Sequence, residues 1–567
     1  MAALRAGHRR VLAVLASGLL LAVAGCSPDA PEDGSDGPVD LLRQDWEHVP
    51  GVTNGGDVLE VSSTARRIVE QDGGGGQPNP ALNLAGTHLV AEGDFALRAS
   101  FADVTGEATW TIQDSPPVIA DEFRLEPAGL RLTLRGDDLE IALFDGSRPE
   151  KVTAPRPLLE EHVTVPDAET TLTVRRSGDT LEIADGEETL STLPCDGIFE
   201  SGTLWLGLSS RDGSFEVTSL TATAPEDVGL AAAGPAAARA ERSADGLQAL
   251  ADRERPGFRI GAAVALGPLV SDDDYAQELI GNFGALTPEN AMKPQYLSPQ
   301  QGVYTFEEAD AILAIAERQG MAVHGHTIAF GEALPRWMQE LPAGTEEERR
   351  ASGEVLLDYV TTVVTHFKGQ LDSLDVVNEP FDVAQGTSLQ KHVWYRVFGP
   401  GYPAVVSKAV HEADPDVKQF INENGADVPG ERQDALLELA LETNAQGGHI
   451  HGVGLQAHVY DLDTDAIPAD DLRDTLDRFE DAGLRVRISE NDVTDDHGTE
   501  AQAEQYAAVL ATCLRSRTCV SYTTWGVDDR YNWWIDGHGE LRQGNDFLFD
   551  DGRPTPAYDA MRRALGG

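Results

Sequence analysis

The sequence predicts two folded domains in series, an all-β sandwich followed by a (β/α)8 barrel, and three observations predict it. The chain has 567 residues, more than one ordinary core organises, so two domains with one of them large is the natural partition. Over residues 39–224 apolar and polar residues alternate with period two, the spacing of strands that bury one face. Over residues 246–567 eight short apolar segments alternate with eight helix-like ones, the order of βα units that close a parallel barrel.

In chain order, the first element reads as an export signal. Arg5, Arg9 and Arg10 precede an apolar run over residues 11–24 that is too short to span a membrane comfortably. The run ends in Val23-Ala24-Gly25-Cys26, which resembles a bacterial lipobox. The resemblance implies removal of residues 1–25, acylation of Cys26 and anchorage to the outer face of the cytoplasmic membrane. An ordinary secretory signal followed by an incidental cysteine is the alternative. Residues 26–38 are rich in Asp, Pro and Gly and are expected to form a disordered tether. The 43 Lys and Arg against 95 Asp and Glu give a net charge of −52, which repels phosphate backbones and so excludes nucleic acid as a partner.

The strand periodicity is clearest at residues 95–101 and 130–134, with turn sequences at 135–138 and 176–179 and a buried strand at 202–208. An antiparallel sandwich follows. It resembles in architecture the jelly-roll modules that accompany many carbohydrate-active enzymes, so residues 39–224 are a candidate carbohydrate-binding module. Trp46, Trp110 and Trp205 are candidates to stack on sugars, although each taken alone reads better as a core residue. Residues 225–245, rich in Ala, are expected to be a linker. Cys195 has no evident partner and reads as a buried small hydrophobe. Cys513 and Cys519 flank five residues in a chain read as exported, where a local disulfide is expected over two free thiols.

In the barrel half the strand candidates are residues 258–264, 284–287, 322–328, 373–377, 417–421, 452–458, 485–489 and 521–525. Helix periodicity between them is plainest at 470–482, where Leu472, Leu476 and Phe479 share a face behind Pro468. Barrel enzymes carry their chemistry at the C-terminal strand ends. There the fourth strand runs into Asn378-Glu379-Pro380 and the seventh into Ser489-Glu490-Asn491-Asp492. Two carboxylates at one barrel mouth are what glycoside hydrolysis with retention requires, one as acid and one as nucleophile. His449 and His451 lack a further ligand at metal spacing, so no metal is assigned, and no cofactor is expected.

These segments resemble glycoside hydrolase family 10, the family best known for endo-β-1,4-xylanases, from about residue 246 to 565. The resemblance implies that Glu379 is the general acid/base and Glu490 the nucleophile. It implies that Glu289, Asn290 and Lys293 bind hydroxyls on the non-reducing side of the cleavage point, and that His326 belongs to the innermost sugar site. Asn378 would donate to the sugar 2-hydroxyl, Gln456 and His458 would stand beside the nucleophile, and Trp525 and Trp533 would wall the cleft. A disulfide like Cys513–Cys519 is also common in the family.

The chain departs from that pattern at several positions. A Trp-His pair and a nearby Gln are replaced by Phe330, Gly331 and Ala333, and the Asn-Asp pair after strand five reads Asn422-Glu423. Loss of an indole and an imidazole predicts a wider innermost site with fewer donors. The expectation is a monomeric, extracytoplasmic enzyme acting on a β-1,4-linked polysaccharide or oligosaccharide, foremost xylan. Altered β-glycan specificity, or a surface glycan-binding lipoprotein with weak activity, are the alternatives.

Overall fold

The computed structural model describes residues 38–42, 52–54, 57–62, 85–90, 93–114, 128–146, 157–165, 169–199, 203–211, 213–223, 229–230, 236–382, 386–532 and 546–567. The export segment, Cys26, the tether up to residue 37, Trp46 and Trp533 lie outside them. No helix among the described residues is long and apolar enough to cross a membrane.

The N-terminal strands form two antiparallel sheets. One runs in the order Glu188–Pro194, Thr180–Asp185, Thr170–Ser177, Phe95–Ala102, Ser214–Thr223, Leu59–Ser62 and Val52–Asn54, with Val39–Asp40 also paired to Ser214–Thr223. The other runs Gly229–Leu230, Ala85–Val90, Thr203–Arg211, Glu107–Gln113, Gly129–Arg135, Asp138–Phe144 and Leu159–Thr164. The predicted turns are two-residue hairpins, with Arg135 opposite Asp138 and Ser177 opposite Thr180. Alternation buries Phe95, Leu97, Ala99 and Phe101 from one sheet and Trp110, Ile112, Leu132 and Leu206 from the other in one apolar cluster, which makes the pair a sandwich.

Trp110 is 1% exposed and packs 6.1 Å from the Phe101 ring, so it is a core residue and has no face to offer a sugar, whereas Trp205 is half-buried. Cys195 is unpaired and buried in the same core. Of residues 225–245, Gly229–Leu230 pair with Ala85–Val90 at a sheet edge, and Ala236 and Ala237 are buried in the barrel's apolar core.

The barrel strands are β1 Arg259–Val264, β2 Ala285–Pro288, β3 Ala322–Phe330, β4 Ser373–Asn378, β5 Lys418–Glu423, β6 Ile450–Leu455, β7 Arg485–Val493 and β8 Cys519–Thr524. Each pairs in parallel with the next, and Arg259 opposite Ser521 joins β8 to β1, which closes the sheet. The helices that follow the strands in turn are α1 Asp273–Asn282, α2 Glu307–Gln319, α3 Glu346–His366, α4 Tyr402–Ala413, α5 Glu431–Ala445, α6 Ala469–Asp481, α7 Thr499–Arg515 and α8 Pro556–Ala564. Helix α6 buries Leu472, Leu476 and Phe479 along the predicted face. Helix α3 opens with a capping box in which Thr345 and Glu348 satisfy each other's backbone N–H. Cys513 at the end of α7 and Cys519 at the start of β8 have sulfurs 1.97 Å apart.

Strand six differs in detail from the expected single run over 452–458. It ends at Leu455, Ala457 takes φ +58°, and His458–Val459 resume pairing with β7 opposite Asp492 and Val493. That break turns the chain between Gln456 and His458.

Replacing Trp110 by Ala is expected to destabilise the sandwich by about 3–5 kcal/mol, the usual cost of emptying a buried aromatic site. Chemical denaturation followed by circular dichroism checks it. Full stability in the variant would place the indole outside the core.

Candidate active site

The strand ends at the C-terminal mouth bring the two predicted carboxylates and their neighbours together. Cross-strand register sets Phe330, Asn378, Asn422 and Gly454 at one level around the mouth. Glu490 is 4% exposed on β7. Its Oε2 lies 3.1 Å from His458 Nε2, and Asn422 Nδ2 donates to its Oε1 at 2.5 Å. His458 Nδ1 in turn bonds Asp492 Oδ1 at 2.7 Å. Glu490 and Asp492 are two residues apart on one strand and share a face, so one imidazole bridges both.

A buried imidazole prefers to be neutral, but Asp492 and Glu490 outweigh that and push His458 up to about 10. It is therefore a cation at neutral pH. Burial alone would raise Glu490 as well, yet the hydrogen bond and charge of His458 hold its carboxyl below the usual value. Glu379 shifts the other way. Burial is the largest effect and raises it; the hydrogen bond from Gln456 and the charge of His458 pull the other way, while the charges of Glu490 and Glu332 add to the rise. Two glutamates at one mouth thus differ in the sense that acid and nucleophile require.

Gln456 joins them. Its Nε2 donates to Glu379 Oε1 at 2.9 Å while its carbonyl accepts the Glu490 N–H at 3.1 Å. Asn422 makes a second bridge, donating to Asn378 Oδ1 at 2.9 Å as well as to Glu490, and accepting from Ser489 Oγ at 2.6 Å. Gly454 leaves room for it, because a Cβ there would stand 2.0 Å from Asn422 Oδ1. Glu379 itself has φ +47°, and its N–H donates to Asn422 O at 2.9 Å.

Around this centre, His326 Nδ1 bonds Asp375 Oδ2 at 2.9 Å, and His324 Nε2 lies 2.9 Å from the same oxygen. Burial works against the Asp375 charge, but the two imidazoles hold it well below the usual range. Trp525 packs edge-on to His326 at 5.2 Å and is 5% exposed, so it backs the histidines more than it faces the cleft. Tyr460 stacks on His458 at 5.3 Å. Next to β2, Lys293 Nζ donates to Asn290 Oδ1 at 2.8 Å and Asn290 Nδ2 to Glu289 Oε1 at 3.0 Å. Burial raises Glu289 to about 7 against the opposing pull of Lys293 and Asn290.

Asn422, Asp492, Asp375 and Tyr460 had no role in the sequence reading. The two-residue spacing of Glu490 and Asp492, and the place of Asn422 in the pair after strand five, are the sequence signals that point to Asp492 and Asn422. Among the described residues, the half-buried Asp461 and the exposed Asp463 and His497 bring ligand atoms within 4.8 Å of one another.

The expected gap beside Phe330 is filled. A Cβ on Gly331 would meet Gln390 Oε1 at 2.4 Å and His392 Cδ2 at 2.7 Å, both from the loop between β4 and α4. The lost side chain is thus replaced by two from another loop, and the site is not simply wider. Gly331→Ala is expected to cost about 1–3 kcal/mol, the scale of overpacking a filled site. The pair Phe330→Trp with Gly331→His would displace that loop and cost more. Thermal unfolding checks both, and an unchanged midpoint would show that the loop yields freely.

A family model described as glycosyl hydrolase family 10 matches residues 247–564. Endo-1,4-beta-xylanase B of Thermotoga neapolitana is 29% identical over 329 residues, covering 56% of this chain and 91% of that protein. Endo-1,4-beta-xylanase A of Caldicellulosiruptor sp. (strain Rt8B.4) is 30% identical over 306 residues, 51% of this chain, and the match spans 44% of that protein's length. The crystal structure of xylanase 10B from Thermotoga petrophila RKU-1 in complex with xylobiose superposes with a TM-score of 0.52 at 31% identity, covering 57% of this chain and 97% of that one. With a closed eight-stranded barrel, paired glutamates at strands four and seven, and a family match over more than half its length, the chain belongs to glycosyl hydrolase family 10.

Proposed function

We propose that this protein is a retaining endo-β-1,4-glycanase acting on xylan. The observation that carries the reading is the opposite electrostatic setting of two glutamates bridged by the single residue Gln456. In the first step Glu490 attacks the anomeric carbon while the Glu379 carboxyl gives its proton to the departing oxygen. In the second, Glu379 takes a proton from water, the water oxygen bonds to the anomeric carbon, and the Glu490 ester breaks. His458, as an imidazolium, stabilises the Glu490 carboxylate before attack and as it is released. Asn378, with its Oδ1 tied to Asn422, has its amide nitrogen fixed on the Glu379 side, suited to a sugar 2-hydroxyl. Glu289, Asn290 and Lys293 form a hydrogen-bonded row suited to sugar hydroxyls on the non-reducing side.

That a solved relative is described in complex with xylobiose supports xylan as the substrate. Phe330, Gly331 and Ala333, with Gln390 and His392 packed against Gly331, favour a second reading in which a substituted β-glycan is preferred. Export and acylation at Cys26, supported by the N-terminal sequence, and a disulfide between Cys513 and Cys519, supported by the sulfur distance, belong to the proposal, as does a monomeric state.

Release of reducing ends across a panel of β-glycans tests the substrate, and activity on none of them would remove the reading. Glu490→Ala and Glu379→Ala are each expected to abolish hydrolysis of polysaccharide. Azide should restore Glu379→Ala on an aryl glycoside with a good leaving group, which needs no acid, and full activity of either variant on polysaccharide would reverse its role.

The pH profile tests the electrostatics separately. Activity falls on the acid side as Glu490 gains a proton and on the alkaline side as Glu379 loses one. In His458→Gln the carboxylate loses its cationic partner, so its pKa rises and the acid limb of kcat/KM should move to higher pH, by about one unit or more. An acid limb that stays in place would remove His458 from that role.

A further inference from the structure

The Asn-Glu pair at the end of β5 leaves Glu423 without a part in the chemistry above. Glu423 is fully buried. Its Oε2 accepts the Phe381 N–H at 3.3 Å, and its Oε1 accepts the Asn424 N–H at 2.8 Å and Arg432 Nη2 at 3.1 Å. Arg432, on α5, spreads over the same region. Its Nη1 donates to Gly386 O at 2.6 Å, its Nε to Asn424 O at 3.3 Å, and its guanidinium lies 5.7 Å from the Phe381 ring centroid.

The Phe381 N–H lies two residues past Glu379, across Pro380. Glu379 has the left-handed backbone, φ +47°, that a residue with a side chain adopts at a cost and keeps only where its surroundings enforce it. Its own N–H is held by Asn422 O, and Pro380 O receives the Gln390 N–H at 2.8 Å. Phe381 O receives Gln390 Nε2 at 3.4 Å, and the Phe381 N–H is tethered by the Glu423 carboxyl, itself oriented by Arg432. Burial raises Glu423 to about 8 while Arg432 and the two backbone donors pull it down. The contacts are those of an acceptor in either protonation state.

Resting on the assignment of Glu379 as acid/base, we infer that Glu423 and Arg432 are positioning residues that fix the Glu379–Pro380–Phe381 turn and so aim the acid at the departing oxygen. Neither touches the sugar. A pair that only held the fold together would, when cut, weaken every substrate alike. A pair that aims the acid weakens only substrates whose leaving group needs a proton.

The experiment therefore compares a xylo-oligosaccharide with dinitrophenyl β-xylobioside in wild type, Arg432→Met, Arg432→Lys, Glu423→Gln and Glu379→Ala. Arg432→Met should lower kcat/KM on the oligosaccharide about tenfold or more, in the range of acid catalysis lost, and on the aryl glycoside less than about threefold. Glu379→Ala should show the same split more steeply. Glu423→Gln keeps one acceptor oxygen for Phe381, and Arg432→Lys keeps the charge without the fork to Asn424 and Gly386, so each should fall between wild type and Arg432→Met. Thermal unfolding of each variant confirms that it is folded at the assay temperature. Should Arg432→Met unfold, Arg432→Lys carries the comparison. Equal losses on both substrates, or no loss on either, overturn the inference. Failure of Glu379→Ala to split the two substrates overturns the acid/base assignment beneath it instead.

Discussion

The mouth of the barrel is organised around one buried imidazolium. A cation without water is costly unless acceptors surround it, and His458 has Asp492 on one nitrogen and Glu490 on the other. Because the imidazole is charged, Glu490 stays ionised in a site whose burial would otherwise protonate it. The same need fixes backbone. Strand six breaks at Ala457 so that His458 can lie opposite Asp492, and the break delivers Gln456 to Glu379.

From that centre the consequences run outward through strands five and six. Asn422 serves Asn378, Glu490 and Ser489 at once, and Gly454 opposite it keeps its amide clear. One residue further, Glu423 and Arg432 grip the turn that carries Glu379. Glu379 and Glu490 are therefore held by the same pair of strands, whose backbones are rigid because the barrel leaves them no free edge. The second domain is built on different physics. Its two sheets bury alternate side chains in a single cluster, to which the fully buried indole of Trp110 belongs.

Much of this was legible in the sequence, and some of it could not have been. Period-two alternation marked the sandwich strands, and the eight apolar segments marked the barrel strands to within a few residues, because strand burial and helix amphipathicity are written locally. Glu379 and Glu490 stand out in the sequence because each follows a strand candidate and barrel chemistry gathers at strand ends, although the seventh strand itself runs on to Val493. The sequence misled at Gly331. A small residue there signalled empty space, but Gln390 and His392, some sixty residues later, occupy it. Space beside a residue is decided by whichever loop packs there, and no local pattern encodes that.

The sequence by itself thus determined the two architectures, the order of the βα units and which strands end in carboxylates, all of which follow from near-neighbour periodicity. Tertiary structure alone decided that Asn422 and Asp492 complete the site, that Glu379 and Glu490 acquire opposite settings, and that Glu423 with Arg432 bonds the turn after Glu379. Those depend on register across parallel strands and on burial, which bring residues 68 positions apart, Asn422 and Glu490, into one hydrogen bond. Charge in such a place is governed by the partners that closure supplies, and closure is a property of the whole barrel.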